Sequence, residues 1–158
     1  MRKYFFLFFY FILLILPIKH ISLFESTEAR YAEISREMLV NNDFLTPTFN
    51  GIKHFHKPPL TYWLTALGLR IFGVNGFGAR FFCSVFALLI LIFTYKISVL
   101  LNAEQDDHIN TIYILSSSVL FIVFSRIVST DIYLTFFVVA SQYYLLKQEV
   151  GRNIINLL

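Results

Sequence analysis

The sequence predicts an all-α membrane protein with about four transmembrane helices and two further helices on the membrane surface. Hydrophobic residues make up 57% of the 158 positions and charged residues only 15%, whereas soluble domains carry about 25% charged residues. Apolar runs recur along the chain, and most of the charges fall between the first two runs. This composition excludes a disordered tail and a disulfide scaffold, and the scattered Lys and Arg residues exclude a nucleic-acid binder.

The first predicted membrane helix covers residues 4–24. Its apolar run Tyr4–Ile18 follows Arg2 and Lys3, as in a signal peptide, but no cleavage site of small residues comes after it. We therefore expect a retained anchor. Because fifteen residues at about 1.5 Å each span only about 22 Å of a hydrocarbon core of about 30 Å, we extend the helix to residue 24.

Three more apolar runs predict transmembrane helices at residues 81–101, 109–124 and 132–146, all in one domain that covers residues 1–158. Short loops join them, the first of which is acidic. The runs contain mostly isolated Ser, Thr and Gln, which face other helices more often than lipid. A channel or transporter subunit would need a polar stripe along several helices, so the sequence disfavours that function.

The charges that flank the predicted spans indicate the orientation. Five basic residues share one side if the N-terminus is cytoplasmic: Arg2, Lys3, Lys96, Lys147 and Arg152. The other side has eight Lys and Arg residues, but six of them lie between Arg30 and Arg80. Residues in one long loop count little in the positive-inside rule. We therefore expect both termini inside and an outer loop over residues 25–79.

The first part of this outer loop predicts a surface helix over Glu28–Leu39. Tyr31, Ile34 and Met38 recur at helical spacing and form one apolar face. Turn-forming residues follow at positions 41–43. The charged residues of this segment are Arg30, Glu33, Arg36 and Glu37, and a solvated helix face is the simplest interpretation of their pattern.

The second part predicts another surface helix, which begins after Pro58 and Pro59 and ends near Gly73. Its apolar residues repeat at helical spacing: Leu60, Leu64, Leu67 and Ile71. Tyr62 and Trp63 stand beside them, where we expect membrane-interface anchors. Gly51 predicts a turn in the polar segment between the two helices.

Two features of the polar segment suggest that it can bind a metal ion or an anion. His54 and His56 alternate, which puts both imidazoles on one side of an extended chain, although two histidines are an incomplete metal site. Lys57 is held close to the membrane by the prolines that follow it. It can bind an anion, or it can contact lipid headgroups.

Asp131 lies between two apolar runs, where a carboxylate is costly and therefore indicates a function. Arg126 precedes it by five residues and can form a structural ion pair with it. The sequence leaves both readings open.

Three outer-loop segments resemble the first outer loop of bacterial GT-C glycosyltransferases: Glu28–Leu39, Asp43–Gly51 and Phe55–Trp63. The similarity continues more loosely to Val128–Thr135. The most similar groups are the protein O-mannosyltransferase-like enzymes of glycosyltransferase family 39 and the aminoarabinose lipid A transferases. The resemblance implies the N-terminal part of a GT-C fold in a bacterial inner membrane, with the first loop periplasmic. It also implies transfer of a sugar from a polyprenyl-phosphate carrier to a lipid, glycan or protein.

The resemblance implies two catalytic carboxylates. Glu28 matches the second member of an acidic pair at the family's catalytic centre, but Thr27 occupies the place of the first. A threonine cannot serve as a general base or neutralise a metal as a carboxylate does. Asp131 matches an acidic residue of the second outer loop.

The resemblance also implies a site for the carrier phosphate and for a metal. Arg30 matches an arginine of the motif, and Lys57 matches the lysine that contacts the carrier phosphate. His56 stands where the aminoarabinose enzymes have a glutamate metal ligand. A histidine can still bind a divalent ion (zinc, magnesium or manganese), but without a charge to neutralise it.

Members of this family are several times longer than 158 residues. We therefore expect this chain to work as a module with a partner chain that completes the fold. The alternative is an inactive fragment or a non-catalytic membrane interaction subunit, which Thr27 favours.

Overall fold

The computed structural model describes residues 2–18, 23, 26–101 and 105–155. Over these residues the chain is helical, apart from one small β-hairpin. The elements are α1 (Arg2–Ile18), α2 (Ser26–Asn41), β1 (Thr48–Phe49), β2 (Ile52–Lys53), α3 (Pro59–Phe72), α4 (Gly76–Leu100), α5 (Gln105–Ser117), α6 (Val119–Phe124) and α7 (Thr130–Ile155).

Among the described helices, α4 alone is long and apolar enough to cross a membrane by itself, with 25 residues. Helix α1 contains the shorter apolar stretch Tyr4–Ile18. Its predicted continuation to residue 24 falls, apart from Leu23, outside the described residues. The all-α prediction is thus confirmed in outline, whereas the count of four spans stays a prediction.

The predicted helix at residues 109–124 is divided, because α5 ends at Ser117 and α6 starts at Val119. Ser118 between them is extended, with φ −64° and ψ 125°. The hydroxyls of Ser116 and Ser117 donate to main-chain oxygens of the preceding turn, both at 3.0 Å. Serine side chains compete with the helix backbone in this way, so the apolar run alone was misleading.

The helical bundle consists of α1, α4, α5, α6 and α7 around a largely apolar core. Leu14, Leu91 and Ile112 have no exposed surface in it. Phe86 of α4 contacts the Tyr133 and Phe136 rings of α7 edge-on, at centroid distances of 4.9 and 5.0 Å. Such edge-to-face contacts between rings interlock neighbouring helices.

A second core lies under the outer unit, which we define as α2, the hairpin and α3. The predicted face of α2 is confirmed, since Tyr31, Ile34 and Met38 are buried. The helix also has the expected position, between Ser26 and Asn41. Its apolar side rests on α3 and on the start of α4.

Helix α3 begins and ends as predicted but is rotated relative to the prediction. Thr61, Tyr62 and Thr65 are buried, whereas Leu67 and Ile71 are 44% and 58% exposed. The expected role of Tyr62 as an interface anchor is therefore wrong. Trp63 remains partly exposed, and its indole N–H donates to the Phe44 carbonyl at 2.7 Å.

The rotation follows from a close approach of α3 to α4. A Cβ atom on Gly68 would lie 2.1 Å from the main-chain oxygen of Gly78. Two glycines therefore let the backbones touch. Because of this contact, the side of α3 that carries Thr65 faces inward, although Thr65 is polar.

Candidate functional site

A cavity of about 370 Å³ opens between the outer unit and the segment that joins α6 to α7. Its lining residues are Thr27, Tyr31, Lys57, Val123, Phe124, Ile127, Val128, Ser129, Thr130 and Asp131. Lys57 and Asp131 are distant in sequence, yet both line this cavity. Among the described lining residues, Lys57 supplies the one ammonium group and Asp131 the one carboxylate group. Thr27 lines the same cavity.

Asp131 lies in the first turn of α7 and is exposed. Ser129 Oγ donates to Asp131 Oδ2 at 2.7 Å and accepts the main-chain N–H of Asp131 at 3.1 Å. A carboxylate in the first helical turn is also favoured by the helix dipole. These contacts orient the carboxylate at the cavity wall.

Arg126 does not form an ion pair with Asp131, which was one of the two interpretations of the sequence. Its Nη2 donates instead to the Leu13 carbonyl oxygen of α1 at 2.9 Å. Pro17 lies four residues after Leu13 and has no N–H to satisfy this carbonyl within the helix. Arg126 thus takes the place of the missing helical donor.

Lys57 is exposed and directly precedes Pro58 and Pro59, at the start of α3. The ion pairs found within the described part of the chain do not include it. Its charge is therefore available for an anion that enters the cavity.

Glu28 lies outside the cavity lining and is only 1% exposed. Arg80 of α4 donates to both of its carboxylate oxygens, through Nε and Nη2, each at 2.6 Å. The main-chain N–H of Val128 donates to Glu28 Oε1 at 3.0 Å. Glu28 therefore holds the segment that forms the cavity wall, and its role as a catalytic carboxylate stays a prediction.

A second contact joins α3 to the same wall. Thr61 Oγ1 donates to Thr130 Oγ1 at 3.3 Å, one residue before Asp131. The wall segment is thus tied to α2 through Val128 and to α3 through Thr130.

Arg30 is half-buried and does not line the cavity. Its charge reaches the histidine pair, because the pKa of His54 is lowered first by burial and then by the charges of His56 and Arg30. Arg30 as a contact for the donor stays a prediction.

His54 and His56 lie on the same side, as their alternation predicted. Their rings stack at a centroid distance of 4.3 Å and an angle of 9°. Among the described residues, no group of three or more His, Cys, Asp or Glu side chains could hold a metal ion. The pair does not by itself fit a metal site, and His56 as a ligand stays a prediction.

Glu37 belongs to no solvated face, contrary to the expectation, and is only 9% exposed. Its carboxylate accepts the Thr48 hydroxyl at 2.5 Å and the Asn50 N–H at 2.6 Å. Sequence reasoning missed both Glu37 and Arg80, because their partners lie on other elements. The one local signal was the position of Glu37 among the charges of the first motif segment.

Comparison with known proteins identifies the family. Residues 1–154 match the family described as dolichyl-phosphate-mannose-protein mannosyltransferase. The chain belongs to this family. The resemblance of the outer-loop motifs to GT-C glycosyltransferases is thereby confirmed.

Two proteins that are similar to this chain are informative. An uncharacterized protein of Aquifex aeolicus is 37% identical over 116 residues, which are 73% of this chain and 23% of that protein. An undecaprenyl phosphate-alpha-4-amino-4-deoxy-L-arabinose arabinosyl transferase of Pseudomonas savastanoi is 39% identical over 84 residues, 53% of this chain and 16% of the transferase.

A solved structure confirms the GT-C membrane fold. ArnT from Cupriavidus metallidurans bound to undecaprenyl phosphate superposes with a TM-score of 0.83 and 25% sequence identity. The match covers 92% of this chain and 27% of ArnT. The chain thus spans about a quarter or less of these proteins.

Proposed function

We propose that this chain forms part of the donor site of a membrane glycosyltransferase. The enzyme would transfer a sugar from a polyprenyl-phosphate carrier to a lipid, glycan or protein at the outer face of the inner membrane. One observation carries the proposal: Lys57 and Asp131 line a single cavity, although they come from different outer loops. The fold likeness to an ArnT bound to undecaprenyl phosphate supports the class of carrier.

The two charges suit the two halves of the transfer. The bond between the sugar's anomeric carbon and the carrier phosphate breaks, and the acceptor oxygen forms a new bond to that carbon. The departing phosphate gains negative charge, which the Lys57 ammonium stabilises, with Arg30 as the second predicted cation. Asp131 accepts the proton of the acceptor hydroxyl. Glu28 stays the second candidate carboxylate, although Arg80 and Val128 engage its oxygens.

A metal stays a prediction centred on His56, and no step of this mechanism passes through one. Among the described residues, the candidate metal ligands here are the two stacked histidines. They leave most coordination positions of a zinc, magnesium or manganese ion unfilled. Lys57 can supply the charge that the phosphate requires.

We place the N-terminus in the cytoplasm and the outer unit in the periplasm, with the cavity near the outer membrane surface. In this arrangement α1, α4, the α5–α6 pair and α7 pass through the bilayer. The positions of the flanking basic residues support the orientation.

We infer that the complete activity needs the helices that the longer relatives possess in addition, supplied within one polypeptide or by a partner chain. The second candidate function is a non-catalytic membrane subunit. Thr27 favours this alternative, because it lines the cavity where relatives with an acidic pair would place a carboxylate.

A transfer assay with matched variants tests the proposal. Membranes that hold this chain and any partner are supplied with a radiolabelled undecaprenyl-phosphate sugar. Asp131→Asn should lower transfer by about 10²-fold or more, since it removes the base, and Lys57→Ala should weaken use of the donor. Lys53→Ala is the control, because Lys53 is exposed on β2 and outside the cavity lining.

Transfer that persists unchanged in Lys57→Ala and Asp131→Asn would contradict the assigned roles. A wild-type chain that binds undecaprenyl phosphate, yet shows no transfer with any partner, would support the non-catalytic subunit.

A further inference from the structure

The carboxylate of Glu37 accepts hydrogen bonds from β1 and from both residues of the hairpin turn. Thr48 Oγ1 and the Gly51 N–H donate to its Oε2 at 2.5 and 3.4 Å, and the Asn50 N–H donates to its Oε1 at 2.6 Å. Each oxygen therefore faces a donor. A glutamine would present its NH₂ group to the N–H of Asn50 or of Gly51, and that N–H would lose its acceptor.

The hairpin turn needs such a partner. Asn50 and Gly51 both have positive φ, 53° and 76°, as a two-residue hairpin turn requires. Strands β1 and β2 contribute only two residues each, so the ladder alone supplies few hydrogen bonds. Helix α2 therefore fixes the hairpin from outside, through Glu37.

The hairpin continues into the segment that ends in Lys57. The main-chain N–H of His54 donates to the Pro47 carbonyl at 2.8 Å, which closes the hairpin base. The His54 ring contacts Phe49 of β1 and stacks on His56. Lys57 follows at once, and Pro58 leads into α3.

We propose that Glu37 is a positioning residue that holds the Lys57 ammonium at the cavity for the phosphate group of the carrier. Glu37 acts through the hairpin and the histidine stack, and it does not touch the ligand. The inference rests on the proposed role of Lys57 and adds the group that sets its location.

A binding titration tests this inference. The purified chain in lipid nanodiscs is titrated with undecaprenyl phosphate, and Glu37→Gln should lower the affinity about tenfold or more, because a displaced contact group loses most of its effect. Hydrogen exchange at the Asn50 and Gly51 amides should accelerate. Glu33→Gln is the matched control, since Glu33 lies on the same helix and pairs with Arg36 at the surface.

A double-variant cycle separates positioning from general destabilisation. If Glu37 acts through Lys57, Glu37→Gln should weaken binding little further once Lys57→Ala is present. The proposal would be overturned if the affinity losses of the two single variants multiplied in the double variant. It would also be overturned if Glu37→Gln left the affinity unchanged.

A distance measurement tests the positioning without any ligand. Spin labels at Lys57→Cys and Ser129→Cys, in a Cys83→Ala background, report the separation of Lys57 from the cavity wall. Glu37→Gln should broaden this distance distribution, whereas an unchanged distribution would overturn the proposal. Failure of the wild-type chain to bind undecaprenyl phosphate would instead count against the proposed function alone.

Discussion

The helical bundle and the outer unit are held together by different kinds of interaction. In the bundle, aromatic and aliphatic side chains such as Phe86 and Leu91 interlock, and hydrogen bonds between helices such as that of Cys83 with Tyr133 join uncharged groups. In the outer unit, two buried carboxylates, Glu28 and Glu37, each bind donors from another element. Apolar packing tolerates exchange of similar side chains, whereas a buried carboxylate requires its particular partners. The site lies where the second kind of interaction dominates.

The largest expected effect comes from breaking the ion pair between the two regions. Arg80→Ala leaves the buried Glu28 carboxylate without its guanidinium partner, which should lower the free energy of unfolding by about 3–5 kcal/mol. Unfolding of the purified protein in detergent measures this loss. Arg36→Ala is the control, because Arg36 pairs with Glu33 at the surface, where solvent screens an ion pair and its contribution to stability is small.

Equal losses for the Arg80 and Arg36 variants would contradict the idea that the buried carboxylates hold the outer unit in place. A loss confined to Arg80→Ala would support it.

A smaller effect is expected where α3 touches α4. Gly68→Ala adds a Cβ atom 2.1 Å from the Gly78 oxygen, so the helices must separate. We expect a loss of about 1–3 kcal/mol, as for other overpacked positions. Leu67→Ala is the neighbouring control, since Leu67 is 44% exposed. If both variants unfold alike, α3 does not depend on this close approach.

The smallest expected effect is a pH dependence of the hairpin. The pKa of His54 is lowered below its ordinary value of 6.5 by burial and by the charges of His56 and Arg30. Between the lowered pKa and 6.5, the unfolded segment therefore binds more protons than the folded one. Stability of the hairpin should be complete above this window and fall as the pH drops through it.

The His54 ring signals in an NMR titration measure this pKa directly. His56→Asn removes one neighbouring charge and should move the pKa of His54 upward. A wild-type His54 that titrates at or above 6.5 would contradict the expectation.

Local patterns predicted the positions of α2 and α3 and the buried face of α2. The spacing of Tyr31, Ile34 and Met38 identified the buried face of α2, because helical periodicity is a property of neighbouring residues. The same reasoning was wrong for Tyr62. The contact of Gly68 with Gly78, rather than the apolar stripe, decides which side of α3 is buried.

The candidate site was predicted only in part. The motif resemblance pointed to Lys57 and Asp131, which line one cavity. It also pointed to Glu28, whose Arg80 partner lies 52 residues away and on another helix. Arg126 was a candidate partner for Asp131, but Leu13 offers a carbonyl that Pro17 leaves without a helical donor.

The sequence by itself determined that this is a helical membrane protein of a sugar-transferring family, because composition, periodicity and contiguous motifs are local properties. Tertiary structure alone decided which carboxylates are held inside and which one faces the cavity. Glu28, Glu37 and Asp131 carry the same carboxylate group and differ only in their surroundings. Donors from distant segments surround Glu28 and Glu37. Hydrogen bonds act over about 3 Å, so only the folded chain determines which groups can form them.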